Sequence, residues 1–226
     1  MSETYEDICT FCCEVHGSQE SNLFYELGLA TSRREYLLME SSHFVVMPCI
    51  GALTDWYVLV VSKRHALSVG WLHEGERDEL RGLLADVSRV LQARTDQNVI
   101  IFEHGSYDFR DKGGACYDHA HVHVVATRQD AGAFLNQLPP TVQLTQTTDW
   151  TSEARRVITT QRRAYLAVQG EEGNWFGAAD GAPSQFFRRC LARWLGAEDG
   201  EWDWLTYPQR ERVGAMMRQG LSDTWV

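Results

Sequence analysis

The sequence predicts an α+β fold with a mostly antiparallel sheet. Three observations favour this class: segments with strand character between residues 36 and 126, one long stretch with helical spacing, and a polar, glycine-containing loop before the last strand. Together they give the order strand, strand, helix, strand, loop, strand. This order is typical of an α+β domain, and we expect it to close near residue 135.

Each element of this first domain has its own signal. YLLMESSHFVVMP (36–48) predicts two short strands around a turn, and WYVLVVSKRH (56–65) is an apolar run that predicts a buried strand. From Glu74 to Arg94 leucines and valines recur on one helical face, and acidic residues crowd the first turn, which predicts a helix. NVIIFEHGS (98–106) predicts another strand, which the loop YDFRDKGG joins to HAHVHVV (119–125).

The rest of the chain predicts a smaller α+β extension, residues 150–226, behind a polar linker from Gln137 to Asp149. AYLAV (164–168) and NWFGA (174–178) have strand character. PSQFFRRCLARWLG (183–196) predicts a helix because proline suits its start and glycine its exit, and a last helix follows. Because this stretch is apolar and aromatic, we expect it to pack on the first domain.

Composition excludes several classes of protein. A hydrophobic content of 44% in 226 residues supports a packed core and argues against disorder. A net charge of -10 argues against duplex nucleic acid as a partner. No segment has the length of a membrane span and the first residues lack a secretion signal, so we expect a cytoplasmic protein. Closely spaced cysteines in that compartment favour metal binding or catalysis over disulfides, whereas Cys116 is expected to be a buried structural thiol.

Three histidines, His119, His121 and His123, stand at alternate positions. In a strand they share one face, about 6.6 Å apart at each step. The outer two are then about 13 Å apart, too far to bind one metal ion together with the middle histidine. A division of labour among the three histidines is therefore predicted.

HAHVHVV fits the His-φ-His-φ-His-φ-φ signature of the histidine triad (HIT) superfamily, which the chain resembles over roughly residues 9–130. An N-terminal C-x-x-C, a strand ending in Ser-Lys-Arg-His and a glycine loop before the triad agree with it. The resemblance implies that residues 1–135 form a HIT-like catalytic domain for a small-molecule nucleotide substrate. By position, His121 would attack the α-phosphate and carry the nucleotidyl group, and His123 would donate a hydrogen bond to the phosphate or leaving group. Neutral imidazole suits the first role because it is a good nucleophile near pH 7.

Further candidates surround the phosphate and the base. Two glycine turns can offer backbone amides to phosphate oxygens, and neighbouring polar side chains can replace the glutamine loop that the family has and this chain lacks. The resemblance also places the base against apolar residues of the first strands. For each candidate an ordinary loop or core role is the alternative. The candidates are His104, Gly105, Ser106, Arg110, Lys112, Gly113 and Gly114 for the phosphate, and Phe44, Val46 and Trp56 for the base.

Cys9 and Cys12 have the spacing of a zinc knuckle, and a structural zinc ion needs four nitrogen or sulfur ligands. The resemblance to zinc-containing HIT branches implies that His65 and His119 complete the site. A purely local set and the absence of stable zinc are the alternatives. The local set is Cys9, Cys12, Cys13 and His16.

The leading functional hypothesis is a nucleotide hydrolase that works through a nucleotidyl-histidine. The alternatives are a nucleotidyltransferase or phosphorylase of the same superfamily, and a nucleotide-binding sensor with little turnover. The segment PSQFFRR resembles extensions of larger HIT-like proteins, so Ser184, Gln185, Arg188 and Arg189 could reach a ligand at a helix N-terminus. For the two arginines a solvated helix face is the alternative. Many HIT proteins are dimers, so this chain either forms a homodimer or covers that surface with its extension.

Overall fold

A computed structural model describes residues 5–115 and 117–222, so the prediction for Cys116 lies outside the described residues. Within these ranges eight strands form one sheet in the order β1-β2-β3-β5-β4-β7-β8-β6. All neighbouring strands run antiparallel, which confirms the predicted α+β class. The strands are β1 Met39–Glu40, β2 Phe44–Pro48, β3 Tyr57–Ser62, β4 Asn98–Gly105, β5 His121–Thr127, β6 Thr145–Thr147, β7 Tyr165–Gly170 and β8 Gly173–Ala178.

Helices surround this sheet on both faces. They are α1 Tyr5–Ile8, α2 Thr10–His16, α3 Leu23–Glu26, α4 Glu74–Thr95, α5 Ala131–Leu135, α6 Trp150–Arg156, α7 Phe186–Leu195 and α8 Arg210–Ser222. Short 3-10 turns lie at Arg33–Glu35 and Val69–Trp71, and a π-helical turn at Val157–Gln161 continues α6. Among the helices described, none combines the length and the apolar character that crossing a membrane requires.

The histidine strand β5 lies inside the sheet, between β3 and β4. His123 pairs with Leu59 on β3 and with Phe102 on β4, and His121 pairs with Val61. Because side chains alternate along a strand, His121 and His123 share one face and Val122 and Val124 share the other. His119 precedes the strand, in a bend.

Each face is covered by a different part of the chain. Arg94 of α4 lies over the Trp56 ring, 5.0 Å from its centroid, on the face of Val122. Phe187 of α7 packs against Phe102 and His104 on the histidine face, with ring centroids 5.2 and 5.0 Å apart. The face that carries the triad is therefore covered by the C-terminal part together with α2, whose Phe11 ring lies 4.8 Å from that of His121 between centroids.

The C-terminal strands continue the same sheet instead of forming a separate one. β7 pairs with β4 through, for example, Phe102 and Val168, and β8 pairs with β7. Within the segment predicted as a linker, Thr145–Thr147 forms β6 and pairs with β8. β-branched threonines favour this conformation, and their polar side chains suit the exposed edge of a sheet. The division at residues 135 and 150 stays a prediction.

Candidate functional site

Four metal-ligating side chains converge beside the triad. In the part of the chain that the structure describes, one such group is found, Cys9, Cys12, His65 and His119, with all four ligand atoms within 4.8 Å of one another. His119 Nδ1 lies 3.5 Å from the Sγ atoms of both cysteines, and His65 Nδ1 lies 3.4 Å from that of Cys12. Tetrahedral zinc, with bonds of about 2.3 Å to sulfur and about 2.05 Å to nitrogen, places such atoms about 3.6 Å apart. The donor set and its spacing therefore fit zinc.

Three separate elements bring these ligands together. Cys9 caps the N-terminus of α2 and Cys12 lies in its first turn, while His65 follows β3. His119 Nε2 donates to the carbonyl oxygen of Ser62 at 2.8 Å, which fixes the tautomer with Nδ1 as the nitrogen that can ligate. The cluster thereby ties α2 to the two strands that flank the site.

A hydrogen bond links the thiol groups of Cys9 and Cys12. The hydrogen bond from Cys12 lowers the pKa of Cys9, and the same bond raises the pKa of Cys12. Cys13 and His16 are not brought to the cluster, since Cys13 Sγ donates to the carbonyl oxygen of Asp7 at 3.4 Å and His16 is exposed. The local set of ligands is therefore not assembled.

His121 is held in one orientation. Its Nδ1 lies 2.7 Å from the backbone oxygen of His119, so Nδ1 carries the hydrogen and Nε2 keeps its lone pair. Burial, which leaves 5% of the residue exposed, lowers the pKa of His121 to about 4. The ring is therefore neutral near pH 7, as a nucleophilic imidazole must be.

His123 is held by an aromatic shell. Its Nδ1 lies 2.9 Å from the hydroxyl of Tyr57, and its ring stacks on Phe102 at a centroid distance of 4.7 Å. Burial lowers the pKa of His123 well below the usual range. The ring centroids of His121 and His123 are 4.9 Å apart, so the two imidazoles contact each other edge to face.

Both histidines line a cavity of about 30 Å³. This volume holds one or two water molecules, whereas small-molecule sites usually measure about 300–1,000 Å³. Most of the lining is apolar, and its charged members include Glu14 and Arg188. Trp204 also lines the cavity and stacks on Tyr117 with centroids 5.2 Å apart. Ligand binding at this position requires some of these side chains to move.

Several predicted phosphate ligands lie near the histidines but have other partners. His104 shares the face of His123, 5.9 Å away between ring centroids, and its Nε2 accepts a hydrogen bond from the backbone of Phe187 at 2.8 Å. Ser106 is buried and its Oγ donates to the carbonyl oxygen of Lys112 at 3.1 Å. At Gly105, a β-carbon would come within 2.0 Å of the Tyr165 ring. The glycine there serves close packing between β4 and β7.

The second glycine turn, Gly113–Gly114, does not line the cavity of the histidines. Lys112 pairs with Asp118 at 2.9 Å. Gly113 and Gly114, both at positive φ, pack against residues of the C-terminal part. Together with Arg110, these residues line a separate surface cavity of about 410 Å³. The structure therefore does not bring this turn to the cavity in front of His121.

The base-stacking candidates Phe44, Val46 and Trp56 do not line the cavity of the histidines. Phe44 pairs with Ser62 and so lies on the opposite face of the sheet from His121, as does Val46. Trp56 lines a different cavity, of about 850 Å³. The strand alternation of β2 instead presents Met47 to the cavity of the histidines.

Arg188 is the site residue that sequence reasoning placed least well. A solvated helix face was one of the two roles considered for it, but the structure buries it in the cavity with 1% exposure. The sequence does contain a signal for this burial, since Arg188 lies on the same side of α7 as the buried residues Phe187, Cys190 and Leu191. A cation on the apolar side of a helix indicates a specific partner or ligand.

No protein-family model matches the chain, and no curated protein matches it. Solved structures that match include a hypothetical histidine triad nucleotide-binding protein from Sulfolobus tokodaii strain 7, at 17% identity and a TM-score of 0.40, over 66% of this chain and 89% of that chain. Another is a Hit-like protein involved in cell-cycle regulation from Bartonella henselae, at 12% identity and a TM-score of 0.37, over 63% and 96% of the two chains. At these identities the function has to be derived from the residues of the site.

Proposed function

We propose that the protein is a HIT-type nucleotide hydrolase that acts at the α-phosphate of a nucleotide or nucleotide conjugate through a covalent intermediate on His121. One observation carries this proposal: the hydrogen bond from His121 Nδ1 to the oxygen of His119, 2.7 Å long, leaves Nε2 as the reactive nitrogen of a ring that lines the cavity. The alternating motif that the chain shares with the HIT superfamily supports the same role.

The reaction has two displacement steps. In the first, the lone pair of Nε2 forms a bond to the α-phosphorus while the bond from phosphorus to the leaving group breaks, and the leaving group departs with that electron pair. In the second, water attacks the phosphorus, the electron pair of the phosphorus–nitrogen bond returns to Nε2, and the proton of the water passes to the solvent as the nucleotide leaves. Splitting the reaction in this way replaces one difficult displacement by two easier ones.

His123 is proposed to assist as a hydrogen-bond donor. When the hydroxyl of Tyr57 donates to His123 Nδ1, at 2.9 Å, the other ring nitrogen, Nε2, carries the hydrogen. A neutral N–H group can then stabilise the charge that develops on the phosphate or on the leaving group.

Zinc is proposed as a structural cofactor held by Cys9, Cys12, His65 and His119. The donor chemistry of the cluster and the 3.4–3.5 Å spacing of its atoms support this choice. Bound zinc supplies a fixed cross-link between α2 and the start of β5. A cytoplasmic location belongs to the same proposal, because the cysteines must stay reduced to bind the ion.

A nucleotide sensor with little turnover is the second candidate. The cavity of about 30 Å³ favours it, since a site this small admits substrate only after rearrangement. A transferase or phosphorylase differs from the hydrolase only in the acceptor of the second step. In each case the partner is a small-molecule nucleotide, because a net charge of -10 disfavours duplex nucleic acid.

The test is to trap the nucleotidyl-histidine. The purified protein is incubated briefly with mononucleotides, dinucleotides, nucleotide sugars and nucleoside phosphoramidates, and intact-mass spectrometry follows adduct formation. We expect an adduct on the wild type and on His16→Ala, whose histidine is exposed and away from the cavity, and none on His121→Ala. If His121→Ala turned over substrate as fast as the wild type, the assignment of His121 as the nucleophile would be wrong. Nucleotide binding without consumption of any substrate would favour the sensor.

A further inference from the structure

We propose that Arg188, which α7 delivers from the C-terminal part of the chain, is the cation that binds the phosphate in front of His121 and His123. This inference deepens the proposed function and rests on it for the identity of the ligand as a nucleotide. It assigns to the C-terminal part a direct role in substrate binding.

The guanidinium is buried and held in a fixed position. Its Nη2 donates to the carbonyl oxygen of Gly51 at 2.8 Å, and its Nε donates to that of Trp202 at 3.0 Å and to Gln185 Oε1 at 3.2 Å. Its Nη1 lies 3.4 Å from the Sγ atom of Cys49. These contacts hold the guanidinium in one orientation.

Its position is also close to the triad. Arg188 lines the same cavity as His121 and His123. The guanidinium carbon lies 5.6 Å from the centroid of the Tyr57 ring, and the hydroxyl of this tyrosine contacts His123. A single aromatic ring thus connects the cation to the histidine.

The chemistry of the substrate requires such a group. Most residues that line the cavity are apolar, among them Phe11, Phe24, Met47 and Leu59. Moving a phosphate from water into such surroundings is unfavourable unless a cation and hydrogen-bond donors replace the water. Guanidinium suits this role because its planar fork matches two phosphate oxygens and its charge stabilises the transition state of phosphoryl transfer.

The other candidate cations lie elsewhere: Arg110 lines the separate surface cavity, and Arg189 lies over the Trp202 ring. Lys112, which the sequence offered for the phosphate, pairs with Asp118 and lines the separate surface cavity. Arg188 therefore takes the role that the sequence assigned to the glycine loop. A purely structural arginine, one that only joins Gly51 to Trp202, is the alternative explanation of the same contacts.

Calorimetric titration of the whole protein separates the two explanations. Wild type, Arg188→Gln, Arg188→Lys and the matched control Arg193→Gln, which changes an exposed arginine of the same helix, are titrated with each of the four common nucleoside monophosphates and with the corresponding nucleosides. We expect Arg188→Gln to bind the preferred monophosphate about 10- to 100-fold more weakly, as loss of a charge-assisted contact implies, with unchanged nucleoside affinity. Arg188→Lys should fall between, and Arg193→Gln should match the wild type.

Several outcomes would overturn the inference. One is that Arg188→Gln binds the monophosphate with the same affinity as the wild type. Another is that its affinities for monophosphate and nucleoside fall by the same factor, which indicates a structural role. If Arg188→Gln does not fold, as judged by circular dichroism, Arg188→Lys decides, because it keeps the charge but loses the fork. The inference would also be refuted if Arg188→Lys bound the monophosphate as tightly as the wild type, or if the wild type bound no monophosphate.

The proposed function can fail separately. If monophosphate binding depends on Arg188 but no adduct forms on His121, the anion site at Arg188 is supported and the proposed hydrolase activity is refuted. If the adduct forms as well on Arg188→Gln as on the wild type, the proposed hydrolase activity is supported and the anion site at Arg188 is refuted.

Discussion

His119 takes part in two structures at once. Its Nδ1 faces the sulfur atoms of Cys9 and Cys12, and its backbone oxygen accepts the hydrogen bond that orients His121. The cluster and the candidate nucleophile therefore share one residue. This arrangement explains at atomic scale why three histidines alternate although they cannot bind one ion.

Removal of a metal ligand should lower stability more than it changes the chemistry. We expect Cys9→Ser and His65→Ala to lose stoichiometric zinc and to melt at a lower temperature, because a structural zinc site contributes folding free energy. Metal analysis by mass spectrometry and thermal unfolding measure the two effects. The matched control is His16→Ala, which changes an exposed histidine of the same region. Stoichiometric zinc in His65→Ala would contradict this ligand set.

Glu103 should make stability depend on pH. Burial raises the pKa of Glu103 to about 7, although Tyr165 and the amide of Val69 donate to its oxygens. Between about pH 4.3 and pH 7 the folded state therefore keeps a proton on Glu103 that the unfolded chain has released. The contribution of this proton to the free energy of unfolding is fully present below about pH 4.3 and is lost as the pH rises to about 7.

The neutral variant Glu103→Gln tests this dependence. Between pH 5 and pH 7.5, the free energy of unfolding should fall further in the wild type than in the variant, by on the order of 2 kcal/mol. Urea denaturation at the two pH values measures the difference, and Asp86→Asn, on the exposed side of α4, is the control. Equal pH dependence in wild type and Glu103→Gln would show that Glu103 is already ionised when folded.

At the scale of elements, periodicity predicted the long, regular pieces. The leucines and valines from Glu74 to Arg94 predicted α4, which the structure places at Glu74–Thr95. The continuous apolar run at 56–65 predicted β3, which the structure places at Tyr57–Ser62 with every residue buried. β6 was missed because an edge strand buries little, so its sequence, Thr-Gln-Thr, lacks an apolar alternation. Pro183 does not start α7, which begins at Phe186 behind Gln185 in a left-handed conformation.

Glycines in two elements should respond oppositely to alanine. In Gly105→Ala, the new methyl group meets the Tyr165 ring, so β4 and β7 must separate, at a cost of about 1–3 kcal/mol. In Gly82→Ala, on the exposed side of α4, nothing lies within 4 Å, and the better helix former should stabilise by up to about 1 kcal/mol. Chemical denaturation compares both variants with the wild type. Equal stability of the two variants would contradict the packing of β4 on β7.

At the scale of the whole molecule, the sequence could not show how its two parts join. The chemistry of the triad and the cysteine pair is local or follows a known motif, and these residues were predicted. The pairing of β4 with β7, and the burial of Arg188 against Gly51, join residues far apart in sequence through contacts that no periodicity encodes. The cavity is built from both parts, and its lining was predicted least well.

Residues 1–135 alone should not form a stable soluble protein. Without β7, the buried strand β4 becomes an exposed apolar edge, which favours association between chains. We expect this fragment to elute as aggregates in size-exclusion chromatography, whereas the full chain elutes as one discrete species. A fragment that stays monomeric, binds zinc and unfolds cooperatively would instead support the predicted domain boundary.

The position of β7 in the sheet has a consequence for synthesis on the ribosome. β4 ends at Gly105 and β7 ends at Gly170, so 65 residues (170 − 105) must be added before the partner of β4 is complete. At about 5–20 residues per second, translation takes roughly 3–13 s to add them. During that interval the nascent chain carries an unpaired apolar strand, so we expect chaperones that recognise such segments to engage this protein before its last third is made.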